Sequence, residues 1–396
     1  MKDIDITLYG ATGFTGKLTA EYLLGRKKES DFSFAIAGRS RSRLEELKSD
    51  LLKRFPSAGN IEIIIADSDN YESIRRMAER SRVVVTTVGP YLKYGEPVLR
   101  ACAEAGTHYT DLTGEGGFVS SMSEKYESAA IANKAKILNC CGYDSIPADL
   151  GTYFLMKNFG PDEDVEVECF ISFGSKADDS FSFLKSFSGG TWHSALGFMN
   201  MEELDRRKVS FQKISASVSG RDIGVIPTEF RFREDTRTWG MPLPFVDEEV
   251  VLRSAAKNPS YGKSFRYGHY AGISSTPLLF GVLLGAGAVM TLAQFSLTKK
   301  FLYSLKSPGD GPDEHTRNTN SFCTSIVGTS KTKQRKVEVR GGDPGYGDTA
   351  KMLGETALCL LKDELPEVYG FQTPASACGD RLLERLNKAG ISFIQI

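Results

Sequence analysis

Residues 4–18 read Ile-Asp-Ile-Thr-Leu-Tyr-Gly-Ala-Thr-Gly-Phe-Thr-Gly-Lys-Leu, and this stretch decides the fold of the first part of the chain. A short apolar run ends at Gly10, and a helix-type pattern follows the last of three evenly spaced glycines. In dinucleotide-binding turns, one glycine makes the tight turn, one admits the pyrophosphate, and one lets the helix pack on the strand. The spacing G-x-x-G-x-x-G therefore predicts a cofactor site made by Gly10, Thr12, Gly13, Phe14, Thr15 and Gly16.

The composition limits the classes of function that need to be considered. The chain has 396 residues, a net charge of −1 and 25% charged residues, so it is long enough for two domains and lacks the basic excess of a nucleic-acid binder. Its seven cysteines include no C-x-x-C pair and no metal-binding spacing, which predicts reduced thiols and no metal site. Because the first strand begins almost at Met1, we expect no signal peptide and a cytosol-facing protein.

Strand-like and helix-like patterns alternate through the first 150 residues. Short apolar runs are separated by segments with helical periodicity, and this alternation is typical of a doubly wound parallel sheet with helices on both faces. The sequence therefore predicts an α/β Rossmann fold. The predicted strands after the first are residues 32–38, 61–66, 83–88, 108–112 and 137–141.

The end of the second strand predicts which dinucleotide is bound. NAD-dependent enzymes usually carry Asp or Glu there for the ribose 2′-hydroxyl, whereas an Arg accommodates the 2′-phosphate of NADP. Here the sequence is Gly-Arg-Ser-Arg-Ser-Arg at 38–43, and no acidic residue occurs before Glu45. Arg39, Ser40 and Arg43 are therefore predicted to hold the 2′-phosphate of NADP(H).

Further cofactor contacts are predicted at the ends of the third and fourth strands. Asp67 is expected near the adenine, and Gly89 and Pro90 are expected to form the floor beneath the nicotinamide. Each of these residues could instead cap a helix, which is a common role at strand ends in this fold.

Candidate catalytic residues follow the fourth strand and the last predicted parallel strand. Hydride transfer also needs a group that supplies or removes a proton, and Tyr143, Asp144 and Tyr91 are placed to face the crevice at the strand ends. The alternative is the dyad Tyr153 and Lys157, whose Y-x-x-x-K spacing is that of short-chain dehydrogenases and puts both side chains on one helix face. His193 is a weaker candidate because it could titrate near neutral pH.

A series of motifs runs through the whole chain in order. They are Gly-Ala-Thr-Gly-Phe-Thr-Gly at 10–16, Ala-Gly-Arg at 37–39, Val-Gly-Pro-Tyr at 88–91, Tyr-Thr-Asp-Leu-Thr-Gly-Glu at 109–115, Gly-Tyr-Asp-Ser-Ile-Pro-Ala-Asp at 142–149, Ser-Gly-Gly-Thr at 188–191, Gly-Asp-Pro-Gly-Tyr-Gly-Asp-Thr-Ala at 342–350 and Thr-Pro-Ala-Ser-Ala-Cys-Gly-Asp at 373–380. Together they resemble the saccharopine dehydrogenase-like oxidoreductase family. The matching branch includes trans-acting enoyl reductases that serve lipid-making polyketide synthases, and membrane- or lipid-droplet-associated members. The resemblance implies NADP-linked redox chemistry and an inserted second α/β domain before a helix that returns to the Rossmann domain.

The predicted organisation follows from this resemblance and from local patterns. Residues 1–150 form the NADP-binding domain, 151–340 the substrate or dimerisation domain, and 341–396 the returning segment. Within them the sequence predicts a hairpin over 324–340 and a helix over 348–361. Bulky apolar residues between 181 and 204 could line an acyl-sized pocket or belong to the core.

Two classes of function fit these observations. The first is an NADPH-dependent reductase of an activated C=C or C=O bond in a hydrophobic or acyl substrate. The second is a catalytically silent NADP-binding scaffold on a membrane or lipid-droplet surface, favoured by the lack of an obvious acid–base pair.

One long segment of the second domain is strongly apolar. No charged residue occurs between Tyr270 and Thr298, and residues 276–296 have about the length of a bilayer-spanning helix, roughly 20 residues. Basic residues flank the segment on both sides, and a crossing would separate the C-terminal elements from the domains they are expected to join. We therefore expect a monotopic segment that enters a membrane or lipid-droplet surface from the cytosol. The alternative is a cytoplasmic soluble protein in which this helix is buried inside the chain or in a homodimer interface.

Overall fold

The computed structural model describes most of the chain. The described residues are 2–175, 201–227, 229–234, 238–243, 245–273, 275–293, 295, 298, 301–302 and 314–396. His193 and almost all of the predicted pocket-lining stretch 181–204 lie outside these residues, so their predicted roles stay predictions.

Helices and strands alternate along the first part of the described chain, and strands predominate in the second part. The strands are β1 Ile4–Tyr9, β2 Phe34–Gly38, β3 Ile61–Ile65, β4 Ser81–Thr86, β5 His108–Asp111, β6 Lys136–Leu138, β7 Asp164–Ser175, β8 Asp222–Val225, β9 Arg231–Arg233, β10 Thr238–Pro242, β11 Ser264–Ile273, β12 Asn320–Thr329, β13 Gln334–Gly341, β14 Gly370–Gln372 and β15 Ser392–Gln395. The helices are α1 Phe14–Arg26, α2 Arg41–Arg54, α3 Tyr71–Arg80, α4 Tyr91–Tyr94, α5 Glu96–Ala105, α6 Gly116–Ala132, α7 Ile146–Met156, α8 Met201–Ala216, α9 Asp247–Lys257, α10 Thr276–Ala293, α11 Glu314–Thr319, α12 Gly347–Lys362, α13 Pro374–Ala377 and α14 Gly379–Lys388.

The chain forms two compact units, and each is built from two segments of sequence. The first unit comprises Met1–Ile146 and Tyr346–Gly390, and the second comprises Pro147–Gly345 and Ile391–Ile396. The sequence-based boundaries at 150 and 340 lie within a few residues of these transitions.

The first unit is organised around a seven-stranded parallel sheet. Its strand order is β14-β6-β5-β4-β1-β2-β3, and every neighbouring pair is parallel. The central strands are apolar on both faces because helices cover both sides; the three valines 83–85 of β4, for example, are fully buried. This arrangement confirms the predicted doubly wound α/β fold.

One strand of this sheet ends earlier than its sequence suggests. The apolar run 137–141 predicts a strand to Cys141, whereas β6 ends at Leu138. Cys140 adopts a left-handed conformation with φ of 61°, and the backbone N–H groups of Cys140 and Cys141 donate to Asp111. These hydrogen bonds to a neighbouring strand end replace the ladder and turn the backbone away.

The second unit contains a mixed sheet of eight strands. Its main order is β15-β13-β12-β7-β11-β10-β9, and β8 pairs with β11. The β12–β13 pair is antiparallel with Thr329 opposite Gln334, which confirms the predicted hairpin.

The C-terminal segment contributes to both units. Helix α12 returns to the first unit, as predicted, and packs against α1 and strands β1, β4 and β5. The close fit uses Gly354, where an added Cβ would lie 2.7 Å from the ring of Tyr22. The final strand differs from the expectation for 341–396, because β15 pairs with β13 of the second sheet.

The charge-free segment forms one helix of the second unit. Helix α10 covers 18 residues, from Thr276 to Ala293. Across the described parts of the chain, none of the helices combines the length and apolar character needed to span a membrane.

Candidate cofactor site and active site

The glycine turn between β1 and α1 has the geometry of a phosphate-binding turn. Gly10 has φ of 85°, and an added Cβ there would lie 2.6 Å from a methyl carbon of Val88. A Cβ on Gly16 would collide with the Gly10 carbonyl oxygen, so only glycine lets α1 approach the turn this closely. Helix α1 has Gly13 at its N-cap and no side-chain capping hydrogen bond. A pyrophosphate can therefore take the capping position at the helix N-terminus.

Basic side chains at the end of β2 fit a 2′-phosphate. Arg39 and Arg43 are exposed, and no described acidic side chain lies within ion-pair distance of either. Arg41 differs, because its guanidinium is 3.6 Å from the Glu45 carboxylate. Ser40 is the N-cap residue of α2 and its hydroxyl lies 3.2 Å from that of Ser42. Two guanidinium groups without carboxylate partners at this position favour the phosphorylated cofactor.

Asp67 stabilises the turn that follows β3. Its carboxylate accepts a hydrogen bond from the backbone N–H of Asp69 at 3.1 Å, and its own N–H donates to the Ser73 hydroxyl at 3.0 Å. These contacts give Asp67 a role in the turn, and its position near the adenine stays a prediction.

The loop after β4 is held by a residue to which the sequence analysis assigns no role. The Gly89–Pro90 peptide bond is cis, and the short helix α4 begins directly after it. The two carboxylate oxygens of Glu115 accept the backbone N–H groups of Tyr91 and Leu92, each at 2.8 Å. Glu115 thus caps α4 across 24 residues of sequence and fixes the predicted nicotinamide floor. In the sequence, the only indication of this role is that Glu115 is the last residue of the motif at 109–115.

Tyr91 lies in the interior of the first unit. Its ring is buried, and its hydroxyl donates to the carbonyl of Thr86 at 3.1 Å. Burial raises the pKa of Tyr91 well above its usual value, and the negative charge of Asp111 adds to the shift. The contacts of Tyr91 favour a positioning role for this residue, and its catalytic role stays a prediction.

Asp111 is a buried acceptor at the carboxyl end of β5. Burial raises the pKa of the Asp111 carboxyl to about 6, although four hydrogen-bond donors oppose this shift. The donors are the hydroxyl of Tyr109 at 2.8 Å, Nδ2 of Asn139 at 2.7 Å, and the backbone N–H groups of Thr113 at 3.1 Å and Cys140 at 2.9 Å. This single carboxylate therefore ties the loops after β5 and β6 together. Asp111 lies within the motif at 109–115, but its role depends on contacts that the local sequence does not reveal.

Tyr143 and Asp144 follow β6, in the loop where the sequence analysis predicts an acid. The backbone N–H of Tyr143 donates to the Thr349 hydroxyl at 3.1 Å, which joins this loop to the start of α12. Asp144 is open to solvent, yet the surrounding protein desolvates its carboxyl and raises its pKa to about 6. The Asp144 carboxyl therefore releases its proton less readily than an ordinary aspartate.

The geometry of Tyr153 and Lys157 does not favour the short-chain dehydrogenase alternative. The Lys157 ammonium lies over the ring of Tyr153, 4.9 Å from its centroid. A lysine that lowers the pKa of a catalytic tyrosine must act near the hydroxyl, whereas this contact is a cation–π interaction with the ring face.

A buried histidine–aspartate pair in the second unit was also not predicted. Sequence reasoning gives His269 no partner, whereas the structure puts its Nδ1 against the carboxylate of Asp247. Burial lowers the pKa of His269 to about 3, so the imidazole is neutral at physiological pH. The two residues are 22 positions apart on α9 and β11, and no local pattern reveals the contact.

Taken with the fold, this site defines a Rossmann-type domain for a phosphorylated dinucleotide, as found in NADP-dependent oxidoreductases. Residues 6–138 match the family model for the saccharopine dehydrogenase NADP-binding domain. A Mycobacterium tuberculosis protein provisionally named a trans-acting enoyl reductase is 35% identical over 99% of this chain and 97% of its own length. A trans-acting enoyl reductase of Mycobacterium bovis is 34% identical over 98% of this chain and 97% of its own.

The chain therefore belongs to the saccharopine dehydrogenase-like oxidoreductases, in the group that contains these enoyl reductases. It is an NADP(H)-dependent oxidoreductase. Its fold is similar to that of apo saccharopine dehydrogenase (L-Glu forming) from Saccharomyces cerevisiae, with a TM-score of 0.56, 10% identity, and coverage of 99% of this chain and 100% of that one.

Proposed function

We propose that this protein uses NADPH to reduce an activated carbon–carbon double bond in a lipid-like acyl substrate. The names of the relatives support an enoyl substrate, and the bulky apolar residues that the sequence contains between 181 and 204 suit an acyl chain. The observation that carries the proposal is Asp144, a solvent-open carboxyl with a pKa of about 6 just beyond the carboxyl end of the parallel sheet. Ligands in such sheets bind outside the carboxyl ends of the strands.

Reduction of an enoyl group requires a hydride at the β-carbon and a proton at the α-carbon. Bound NADPH supplies the hydride and leaves as NADP⁺. In this proposal, protonated Asp144 gives its proton to the α-carbon and later takes a new one from water, so charge and atoms balance. In this proposal, Arg39 holds the 2′-phosphate and the glycine turn holds the pyrophosphate, while Glu115 fixes the loop at the nicotinamide end.

Two alternatives remain as outcomes of the same assay. The first is reduction of a carbonyl group, for which Asp144 would protonate the oxygen. The second is the silent scaffold, which binds NADPH without oxidising it.

The test is a substrate panel with purified full-length protein. NADPH oxidation is followed by absorbance with 2-enoyl thioesters of increasing chain length and with matched ketones, and products are identified by mass spectrometry. We expect saturated thioesters, and we expect Asp144→Asn to lose turnover while NADPH binding, measured by fluorescence, is retained. Ketone reduction alone would favour the carbonyl alternative, and tight NADPH binding without turnover on any substrate would overturn the reductase.

A further inference from the structure

Helix α10 of the second unit exposes apolar side chains to solvent. It carries no charged residue, and Phe280 and Leu284 are 62% and 76% exposed. Leu279, near its start, is buried, but no described protein atom lies within 4 Å of a Cβ added at Gly281, Gly285 or Gly287. Beyond its first turn, the helix therefore has little protein packed around its described residues.

The exposed side chains cover more than half of the helix circumference. The large ones are Leu278, Phe280, Leu283, Leu284 and Leu292. At 3.6 residues per turn, these positions span about 220°, and the remaining sector of about 140° contains the buried Leu279. A second copy of the chain, packed along one side, would leave part of the exposed sector in water. A fluid apolar phase can cover the whole exposed sector at once, so the distribution favours lipid over a protein partner.

The start of α10 adjoins aromatic side chains on the edge of the second sheet. Trp239 donates from its indole Nε1 to the hydroxyl of Thr276 at 3.1 Å. Phe232 on the neighbouring strand is 43% exposed, and its ring centroid is 4.9 Å from that of Trp239. We call Phe232 and Trp239 the aromatic edge. Tryptophan at the base of an apolar helix is typical of a membrane–water interface.

Basic residues flank the aromatic edge. Arg231 and Arg233 lie on either side of Phe232 in β9, and Arg231 also forms an ion pair with Glu168 at 3.1 Å. In the sequence, Lys299 and Lys300 follow the charge-free segment. Arginine and lysine with apolar stems are favoured where an apolar layer meets anionic headgroups.

We propose that α10 and the aromatic edge form a docking surface for a phospholipid bilayer. Helix α10 enters the apolar layer from one side, and Trp239 lies at the level of the headgroups. At about 1.5 Å per residue, the 18 residues extend roughly 27 Å. The proposal goes beyond the reductase activity and does not depend on turnover.

The first test is vesicle flotation of the purified full-length protein. Vesicles are made of phosphatidylcholine with and without phosphatidylglycerol, and three forms are compared: unmutated, Phe280→Glu with Leu284→Glu, and Ile131→Glu. Ile131 is the matched control, because it is 50% exposed and lies on α6 of the first unit. We expect the double variant to bind at least about tenfold more weakly, since charges are costly in an apolar layer. The control should bind normally, and equal flotation of all three forms would overturn the proposal.

The second test uses the fluorescence of Trp239. The chain has two tryptophans, so Trp192→Phe leaves Trp239 as the single reporter. We expect a blue shift when vesicles are added, and none in the double variant.

Size-exclusion chromatography with light scattering tests whether a second copy of the chain, rather than lipid, covers α10. A dimer that the double variant converts to a monomer, without vesicle binding by the unmutated chain, would identify a second copy and overturn the lipid assignment. Protection of the C-terminus from protease added outside the vesicles would show a crossing and overturn entry from one side. NADPH oxidation with a short soluble substrate is measured in parallel, so failure of either proposal is detected separately.

Discussion

Arg39 is exposed at the end of β2 and no described carboxylate lies within ion-pair distance of it, so its charge is available to a ligand. A 2′-phosphate there can form charge-assisted hydrogen bonds with the planar guanidinium. The local sequence was enough to predict this 2′-phosphate site, because the end of the strand and the absence of Asp or Glu are both visible within residues 38–43.

Arg39→Ala should weaken NADPH binding much more than NADH binding. Loss of one charge-assisted contact costs about 1.5–3 kcal/mol, which corresponds to roughly 10- to 160-fold in affinity. Isothermal titration with both cofactors measures the effect, and Arg39→Asp should reverse the preference. Arg76→Ala, at an exposed position on α3, is the control. Equal affinity of the unmutated protein for the two cofactors would contradict the assignment.

Asp144 gives the reductase proposal a defined pH dependence. Desolvation raises its pKa to about 6, so the proton-donating form is present below that pH and is lost as pH rises through it. The turnover number should therefore fall between about pH 5 and 7, after correction for acid decay of NADPH. In Asp144→Asn the residual rate should be flat over this range. An unchanged profile in the variant would assign the titration, and the proton, to another group.

At the scale of elements, the glycine turn is predicted to hold the pyrophosphate, and the α4 cap holds the loop predicted to lie beneath the nicotinamide. The turn is formed by adjacent residues. A Cβ at Gly10 would collide with the side chain of Val88, and a Cβ at Gly16 would collide with the Gly10 carbonyl oxygen. The cap is formed by Glu115 from the following strand–helix loop, so two distant elements must fold before it exists.

Glu115→Gln should reduce catalysis more than cofactor binding. An amide offers one acceptor oxygen to the N–H groups of Tyr91 and Leu92 and turns an NH₂ group toward the other, which costs about 1–3 kcal/mol. The turnover number should fall while the Kd for NADPH changes little, because the phosphates are held elsewhere. Thermal unfolding and steady-state kinetics measure both effects. Glu79→Gln, at the exposed end of α3, is the control, and a variant with unchanged turnover would remove Glu115 from the positioning role.

The same division between local and distant contacts explains what the sequence could predict. Strand alternation, the glycine turn and the β12–β13 hairpin depend on patterns within about 20 residues, and the structure confirms them. Asp111, Glu115 and the His269–Asp247 pair depend on contacts across 22 or more positions, so no periodicity reveals them. The end of β6 was misjudged for this reason, since its apolar residues continue past the point where Asp111 turns the backbone.

At the scale of the whole molecule, the chain passes between the two units several times. Residues 346–390 complete the first unit, and residues 391–396 then add a strand to the edge of the second sheet. The glycine turn and Arg39 belong to the first unit, whereas the last strand belongs to the second. We therefore expect cofactor binding to stabilise the first unit and the last strand to stabilise the second.

Deletion of residues 391–396 should therefore separate the stabilities of the two units. It removes the buried Ile391 and Phe393 and exposes the edge of β13, so we expect the melting temperature of the second unit to fall on the order of 10 °C. NADPH at about 100 times its Kd adds roughly 2.7 kcal/mol to whichever unit binds it. Calorimetry should show the cofactor raising only the transition of the first unit, in the full-length and the shortened chain alike. Removal of the exposed Ile396 alone is the control. If the deletion abolished NADPH stabilisation, cofactor binding would require the second sheet, and the assignment of the site to the first unit alone would be wrong.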